Sequence, residues 1–189
     1  TFFKGALARI RELTTALSVP VLVKETGAGI AREAAVSLER AGVKAINVGG
    51  LGGTSWAAVE YHRAREKKRS RQAHLGTSFW DWGIPTAASI VEVARSTRVK
   101  VLASGGVRNG VHVAKAIALG AHCAGLALPV LRSVSRSAET AKEGLLTVIE
   151  ELRTAMFLTG SKNLDHLHKG PLVITGTTRE WLVARGLLP

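Results

Sequence analysis

The chain has 189 residues, of which 46% are hydrophobic and 21% charged, a balance that predicts a soluble globular protein with a sizeable core. No apolar stretch approaches the ~20 residues that a membrane-spanning helix needs, and the single cysteine, Cys123, excludes an internal disulfide. Both observations favour the reducing cytoplasm, with Cys123 packed as a small hydrophobic residue. Because the chain opens on Thr1 and not on Met, we expect it to be a fragment.

Much of the net charge of +12 lies in one basic segment, HRAREKKRSR at 62–71. A positive excess of this size favours an anionic partner. Nucleic acid is disfavoured as that partner, because no aromatic residues interleave with these charges to stack on bases. The segment is interpreted as the solvated end of a helix followed by a mobile loop.

Short apolar runs alternate along the chain with segments of helical spacing. Strands are predicted in PVLVKETG (20–27), KAINVGGLGG (44–53), KVLASGGVRNG (100–110) and AGLALP (124–129). Helices are predicted at 31–42, 54–68, 86–97 and 110–121, with another before the first strand at 3–17 and a long one after the last at 138–160. This alternation indicates βαβ units in one parallel sheet, with strands in sequence order because such crossovers are right-handed.

The number of strands limits the architecture. A closed (β/α)8 barrel needs ~250 residues, and a flavodoxin-like sheet of four or five strands is the alternative fold. The third and fourth strands, however, end in glycines and small residues, as barrel strands 7 and 8 do where they bind phosphate. We therefore interpret residues 1–189 as the C-terminal part of a single TIM (β/α)8-barrel domain, strands five to eight preceded by helix four. Another chain or segment should then cover the open edge at residues 21–24.

The first strand ends in two charged residues, Lys24 and Glu25. Parallel α/β folds place their ligands at this end of their strands, so the pair is a candidate for a binding site. A surface ion pair that caps the strand is the alternative, and this stretch alone does not separate the two.

Two later loops have the composition of a phosphate site. In SGGVRNG (104–110) the glycines let the backbone approach a ligand, the next helix offers free N–H groups, and Arg108 adds a positive charge. GLALPVL (125–131) has the same plan, with Pro129 suited to the first turn of a helix. The alternative is a pair of tight turns that need glycine for steric reasons only.

The loop VGGLGGTSW (48–56) is rich in glycine, which suggests a flat ligand lying against the backbone, and Thr54 is the expected helix cap. In FWDWGIPTAAS (79–89), Trp80 and Trp82 are expected to anchor a loop to the barrel. The six histidines show no metal-ligand spacing, and no serine–histidine or cysteine–histidine pair suggests a nucleophile. Neither a metal site nor a catalytic residue is therefore predicted.

Five segments taken together resemble the flavin-dependent, type 2 isopentenyl-diphosphate isomerases. They are PVLVKETGAGI, GGLGGTSWAAVE, FWDWGIPTAAS, ASGGVRNGVHVAKAIALGA and TGSKNLDHL. Each glycine motif is shared by many flavin barrels, whereas their combination and order are specific. The match covers nearly the whole chain and roughly the C-terminal half of a family member.

The resemblance implies a barrel that binds FMN at its C-terminal mouth and interconverts isopentenyl diphosphate and dimethylallyl diphosphate in isoprenoid biosynthesis. It further implies a homo-oligomer, NADPH or NADH as the reductant of FMN, and Mg²⁺ on the diphosphate of the substrate. Proton transfer through N5 of the reduced flavin, which the family's favoured mechanism invokes, would explain why no acid–base pair stands out in this half.

Carried over motif by motif, Lys24 in VKE contacts the flavin ring near N1 and the C2 carbonyl, where a cation stabilises the anionic reduced flavin. Thr54 in GGT is the next FMN contact. The resemblance assigns the FMN phosphate to the backbone N–H groups of Gly106, Val107, Arg108, Ala127 and Leu128.

The chain departs from the family in two respects. Gly49 stands where the family commonly has a serine that contacts FMN, so that side-chain hydrogen bond is lost. The family's basic substrate motif, and its Gln–Glu pair that supplies a candidate acid and the Mg²⁺ ligand, are expected to precede Thr1. The resemblance thus implies that this chain alone lacks isomerase activity.

Other functions need residues that the loops do not offer. An enzyme like inosine-monophosphate dehydrogenase would need a nucleophilic cysteine in GGLGGTSWA, and a 2-hydroxy-acid oxidase would need a histidine base in ASGGVRNG. Another FMN-dependent barrel oxidoreductase remains the enzymatic alternative. A basic, nucleic-acid-binding half-domain is the non-enzymatic one.

Overall fold

Four short strands of mostly aliphatic residues form one parallel sheet in sequence order, as predicted. The computed structural model describes residues 4–188, so the predicted start of the first helix at residue 3 lies outside them. In register, Ile46 lies between Val23 and Val101 on the neighbouring strands. The strands are β1 (Leu22–Lys24), β2 (Ala45–Asn47), β3 (Lys100–Ala103) and β4 (Cys123–Ala124). The predicted position of the fourth strand at 124–129 is wrong except at Ala124, because the chain after Ala124 turns into a loop and enters a helix at Leu128.

Helices surround the sheet, and ten of them lie within residues 4–188. They are α1 (Ala6–Ala16), α2 (Arg32–Arg40), α3 (Trp56–Glu66), α4 (Ser70–Ser78), α5 (Thr86–Ala94), α6 (Gly110–Ala118), α7 (Leu128–Val134), α8 (Ala138–Leu158), α9 (Leu164–Lys169) and α10 (Gly176–Ala184). Helices α1, α2, α3, α5, α6 and α8 confirm predictions, and α7 carries Pro129 in its first turn as expected. This order of strands and helices is that of consecutive βα units of a (β/α)8 barrel.

The main core packs the sheet against its helices and so fixes the positions of the strand ends in space. Ile46 and Val101 from the sheet and Val93 from α5 are fully buried in one cluster. None of the described helices combines the length and the apolar character that crossing a bilayer requires.

Residues 62–66 are the end of α3, as expected, whereas α4 contradicts the mobile loop that was expected to follow. The chain leaves α3 after Glu66, turns at Lys68 with a φ of 54°, and enters α4 at Ser70. The two helices approach closely at Gly76, where a Cβ would lie 2.8 Å from the carbonyl oxygen of Ala57. The contact packs α4 against α3, and the charges of 62–71 gave no sign of it in the sequence.

Cys123 is exposed, which contradicts its expected packing as a small hydrophobic residue. It belongs to β4, which pairs only with β3 in the described part of the chain, so one side of the strand has no neighbour. At the opposite edge, Leu22 of β1 is 44% exposed. The covering of that edge by another chain or segment stays a prediction.

A buried carboxylate attaches the C-terminal helix α10 to the body of the fold. Glu92 on α5 is fully buried and accepts hydrogen bonds from Trp181 Nε1 at 3.0 Å and Arg185 Nε at 2.8 Å. The backbone N–H of Arg32 donates to the same carboxylate at 2.9 Å. Burial, the largest influence, raises the pKa of Glu92, but these three donors together hold the pKa below its ordinary value.

Arg185 extends this attachment to α2. Its Nη2 lies 2.7 Å from both carboxylate oxygens of Glu33. The hydrogen bond from Arg185 lowers the pKa of the exposed Glu33 carboxyl from 4.5 to about 2. The bonds to Glu92 and Glu33 raise the pKa of Arg185 above its ordinary value in turn. The ionised pairs therefore favour the docked position of α10.

Candidate active site

One cleft of about 290 Å³ lies at the C-terminal ends of all four strands. The parallel arrangement creates it, because every strand delivers its following loop to the same edge of the sheet. The cleft brings together all seven residues that the resemblance assigned to FMN. They are Lys24, Thr54, Gly106, Val107, Arg108, Ala127 and Leu128.

The two charged residues at the end of β1 have separate partners. Glu25 turns back on its own loop, and its Oε2 accepts backbone N–H bonds from Gly27 and Ala28 at 2.5 Å and from Gly29 at 3.1 Å. Lys24 Nζ donates to the backbone carbonyl of Glu25 at 2.9 Å, with no ion pair to its carboxylate. The expected alternative of a capping ion pair is therefore wrong, and Lys24 faces the cleft with donors to spare.

The glycine-rich loops after β2 and β3 fit against each other backbone to backbone. A Cβ at Gly105 would lie 2.1 Å from the carbonyl oxygen of Gly50, and one at Gly106 would lie 2.3 Å from that of Gly52. Gly106 also has a φ of 82°, which side-chain-bearing residues rarely adopt. The high glycine content of 48–56 thus has a packing cause within the chain, in addition to the ligand that the sequence suggested.

Thr86, at the start of α5, joins these two loops. Its Oγ1 donates to the carbonyl oxygen of Gly105 at 2.6 Å, and its backbone N–H donates to that of Leu51 at 3.2 Å. Leu51 N–H in turn donates to Ile84 O at 2.9 Å, and Ile84 N–H to Ala28 O at 2.8 Å. Hydrogen bonds therefore connect the loops after β1, β2 and β3 into one floor beneath the cleft.

Gly49, the departure from the family's serine, has a structural reason in this chain. A Cβ there would lie 2.2 Å from the carbonyl oxygen of Glu25, a contact that a side chain could make only if the backbone moved. Gly49 O also accepts the Gly29 N–H at 3.2 Å. Glycine at this position lets the loop after β1 lie directly on the loop after β2.

Thr54 does not cap α3, contrary to the prediction. The cap is Ser55, whose side chain accepts the N–H of Ala58 at 3.2 Å and donates to Trp80 O at 2.5 Å. The Thr54 hydroxyl forms no hydrogen bond within residues 4–188, and Thr54 lines the cleft. Capping therefore gives no structural reason for a threonine here.

The loops after β3 and β4 present unused backbone donors to the cleft. Within the described residues, the N–H groups of Gly106, Val107 and Arg108 form no hydrogen bond, and neither do those of Ala127 and Leu128. N–H groups without partners, in two adjacent loops that line one cleft, suit an anion. Gly125 adds room beside them, because a Cβ there would meet nothing closer than 3.7 Å.

The charges around the cleft also favour an anion. Lys24 and Arg108 line it, and Arg108 Nη2 lies 3.5 Å from the carbonyl oxygen of Gly52. No carboxylate and no histidine from residues 4–188 line the cleft. The same residues contain no group of three His, Cys, Asp or Glu side chains that could hold a metal ion.

Among the polar residues of the cleft that were not predicted are Thr26 and a hydrogen-bonded pair, Asn47 and Ser104. Asn47 ends β2 and Ser104 follows β3, and Ser104 Oγ donates to Asn47 Oδ1 at 2.5 Å. The Gly49 N–H donates to the same oxygen at 3.3 Å. Both bonds involve Oδ1, so neither uses Nδ2 of the Asn47 amide. Their position at the C-terminal ends of adjacent parallel strands was the signal that could have identified them.

The aromatic residues near the cleft divide into two groups. Trp80 contacts Tyr61 edge to face with ring centroids 5.5 Å apart, which confirms its expected role as an anchor. Trp82 is 73% exposed and contacts Phe79 instead, so it does not anchor the loop to the barrel. Trp56 donates from Nε1 to Thr26 O at 2.9 Å, which connects the start of α3 to the loop after β1.

Residues 4–174 match the family model described as FMN-dependent dehydrogenase. The chain is 52% identical over 182 residues to the isopentenyl-diphosphate delta-isomerase of Methanothermobacter thermautotrophicus, a match covering 96% of this chain and 50% of that protein. It is 49% identical over 189 residues to the enzyme of the same name from Pyrococcus abyssi, covering 98% of this chain and 50% of that protein. The chain thus spans about half the length of these relatives.

A mandelate oxidase variant solved with an FMN monooxide adduct resembles the structure with a TM-score of 0.65. The match covers 89% of this chain and 46% of that chain, at 20% sequence identity. At that identity the likeness extends to the fold alone.

Proposed function

The chain belongs to the family of FMN-dependent dehydrogenases, and from this premise we propose that the intact protein binds FMN in the cleft and interconverts isopentenyl diphosphate and dimethylallyl diphosphate. The names of the curated relatives, at about half identity over this chain, support the reaction. The observation that carries the cofactor assignment is that all the residues expected to contact FMN line one cleft, to which the described part of the chain contributes no carboxylate.

The phosphate end of the cofactor fits the loops after β3 and β4. Within residues 4–188, Gly106, Val107 and Arg108 offer one set of N–H groups without partners, and Ala127 and Leu128 offer another from the neighbouring loop. Gly125, which also lines the cleft, has no side chain to occupy the space beside these donors.

The ring end of the cofactor fits the loops after β1 and β2. Thr54 offers a hydroxyl with no partner in the described residues, and Lys24 offers a cation whose Nζ is positioned by the carbonyl of Glu25. A cation fixed beside a flavin ring stabilises negative charge on it. When bound, reduced FMN supplies proton transfer through its N5.

The residues of this chain leave part of the reaction to the rest of the protein. No carboxylate from residues 4–188 lines the cleft, so we assign the Mg²⁺ ligand and the candidate acid to residues outside this stretch. We further propose NADPH as the reductant, a homo-oligomer as the assembly, and the cytoplasm as the location. These assignments rest on the family resemblance, whereas the geometry of the cleft supports the FMN site alone.

The test starts with the intact protein purified without added flavin. We expect a yellow protein that releases FMN on denaturation and, after anaerobic reduction by NADPH with Mg²⁺ present, converts isopentenyl diphosphate into the acid-labile dimethylallyl isomer. Unreduced enzyme is the matched control and should be inactive. A yellow protein that oxidises 2-hydroxy acids and leaves isopentenyl diphosphate unchanged would overturn the reaction, and a colourless protein that takes up no FMN would overturn the cofactor.

A further inference from the structure

Glu151 on α8 lies directly behind the loop that carries the free N–H groups after β3. Its Oε2 accepts the backbone N–H of Gly110 at 2.6 Å, a contact between residues 41 positions apart. Gly110 is the first residue of α6 and follows Arg108 by two positions. The carboxylate therefore holds the point where the loop 106–108 enters its helix.

The two helices leave no freedom at this point. A Cβ at Gly110 would lie 2.2 Å from Val148 O and 2.5 Å from Leu152 N, so the backbone of α6 begins directly on α8. A small cavity of about 200 Å³ beside this contact separates Glu151 from Arg108 and from Pro129 of α7. One side chain of α8 thus lies behind both loops that face the phosphate end of the cleft.

The charge of Glu151 should oppose phosphate binding, whereas its hydrogen bond should favour it. The free N–H groups at the start of a helix attract anions, and Glu151 already uses the one on Gly110. A phosphate dianion in the cleft would be repelled by this carboxylate. An acidic side chain at this point favours phosphate binding overall only if the gain from holding the loop in position is larger than this repulsion.

We propose that Glu151 is a positioning residue for the cofactor phosphate: it fixes the start of α6 so that the N–H groups of Gly106, Val107 and Arg108 converge. The proposal rests on the assignment of the cleft to FMN. It separates two properties of one side chain, because glutamine keeps an oxygen to accept the Gly110 N–H and removes the charge, whereas alanine removes both.

The experiment compares the affinities of the intact apoprotein for FMN and for riboflavin, which lacks the phosphate, by titrating flavin fluorescence. In Glu151→Ala we expect FMN to bind about tenfold more weakly, because the N–H groups of the loop 106–108 lose their fixed position, with riboflavin unchanged. In Glu151→Gln the preference for FMN over riboflavin should equal or exceed that of the unaltered protein. Glu150→Ala, at the exposed neighbouring position on α8, is the control and should change neither affinity.

The outcomes separate the inference from the function on which it rests. If the unaltered protein binds no FMN, the cofactor assignment fails. If it binds FMN and Glu151→Ala weakens both flavins equally, or neither, the residue has only a general structural role and the inference is wrong. Should the alanine variant not fold, Glu151→Gln decides alone, since a lower preference for FMN in that variant would contradict the proposed positioning role.

Discussion

Replacing Lys24 by alanine should change the redox behaviour of the bound flavin more than the stability of the protein. The side chain is exposed, and its one hydrogen bond goes to the carbonyl of the next residue, so its removal leaves no buried group without a partner. In the proposed complex, its cation stabilises the negative charge of reduced FMN and has little effect on neutral oxidised FMN. The change should therefore act on one oxidation state.

The magnitude follows from the kind of contact. A hydrogen bond to a charged group contributes roughly 1.5–3 kcal/mol, which for a two-electron couple corresponds to a potential about 30–60 mV more negative. The same energy, lost in the turnover step, predicts at least about tenfold slower isomerisation. Oxidised FMN should bind as before, because its phosphate contacts lie in the loops after β3 and β4.

The assay is a spectroscopic titration of the intact protein with a reductant and a reference dye, combined with a titration by oxidised FMN. Lys44→Ala is the matched control, because Lys44 is equally exposed but precedes β2 at the opposite end of the sheet. It should leave the potential unchanged. An unchanged potential in Lys24→Ala, together with weaker binding of oxidised FMN, would refute the assigned role and leave Lys24 as a residue that merely holds the cofactor.

Four further variants, and one control, test the loops and the C-terminal attachment. Gly106→Ala should abolish flavin binding, since its Cβ would lie 2.3 Å from Gly52 O, whereas Gly160→Ala, at a φ of 65° in open space, should bind flavin normally in the same fluorescence titration. Ser55→Ala should lower the free energy of unfolding by about 1 kcal/mol through loss of the α3 cap, without changing the affinity for FMN. Thr54→Ala should weaken FMN binding and leave the free energy of unfolding unchanged. Denaturant unfolding and flavin titration measure the two properties. The pKa of Glu33 is about 2 in the folded state against 4.5 ordinarily, so its contribution to stability is complete above pH 4.5 and lost as the pH falls towards 2. Arg185→Ala should flatten this part of the profile of unfolding free energy against pH, and an unchanged profile would contradict the attachment.

The features that the sequence predicted are those set by local patterns. Apolar runs of three or four residues gave the strands, and the residues that follow them gave the cleft, because parallel strands bring their C-terminal ends to one edge. The resemblance to the isomerases, made on motif order, is confirmed by the names of the curated relatives. All of these depend on neighbours in the sequence or on one general rule of topology.

The features that it missed depend on contacts between distant segments. Asn47 and Ser104 are 57 positions apart, and their hydrogen bond exists only once β2 and β3 are paired. Cys123 has the composition of a core residue, and its exposure follows from the place of β4 at the edge of the described sheet. Thr54 and Ser55 are both good caps, and only the backbone geometry decides between adjacent candidates.

The hydrogen bonds that connect the loops of the cleft have a consequence for how the site assembles. The connections run from Ala28 through Ile84 and Leu51 to Thr86 and Gly105, and each needs the preceding strand in its final register. In a partly folded chain with β1 and β2 paired and β3 free, the carbonyl of Gly105 would not be in place to accept the hydrogen bond from Thr86. The cleft should therefore form together with the sheet in one cooperative step. The amide hydrogens of Leu51 and Thr86 should then exchange with solvent as slowly as those of the central strands.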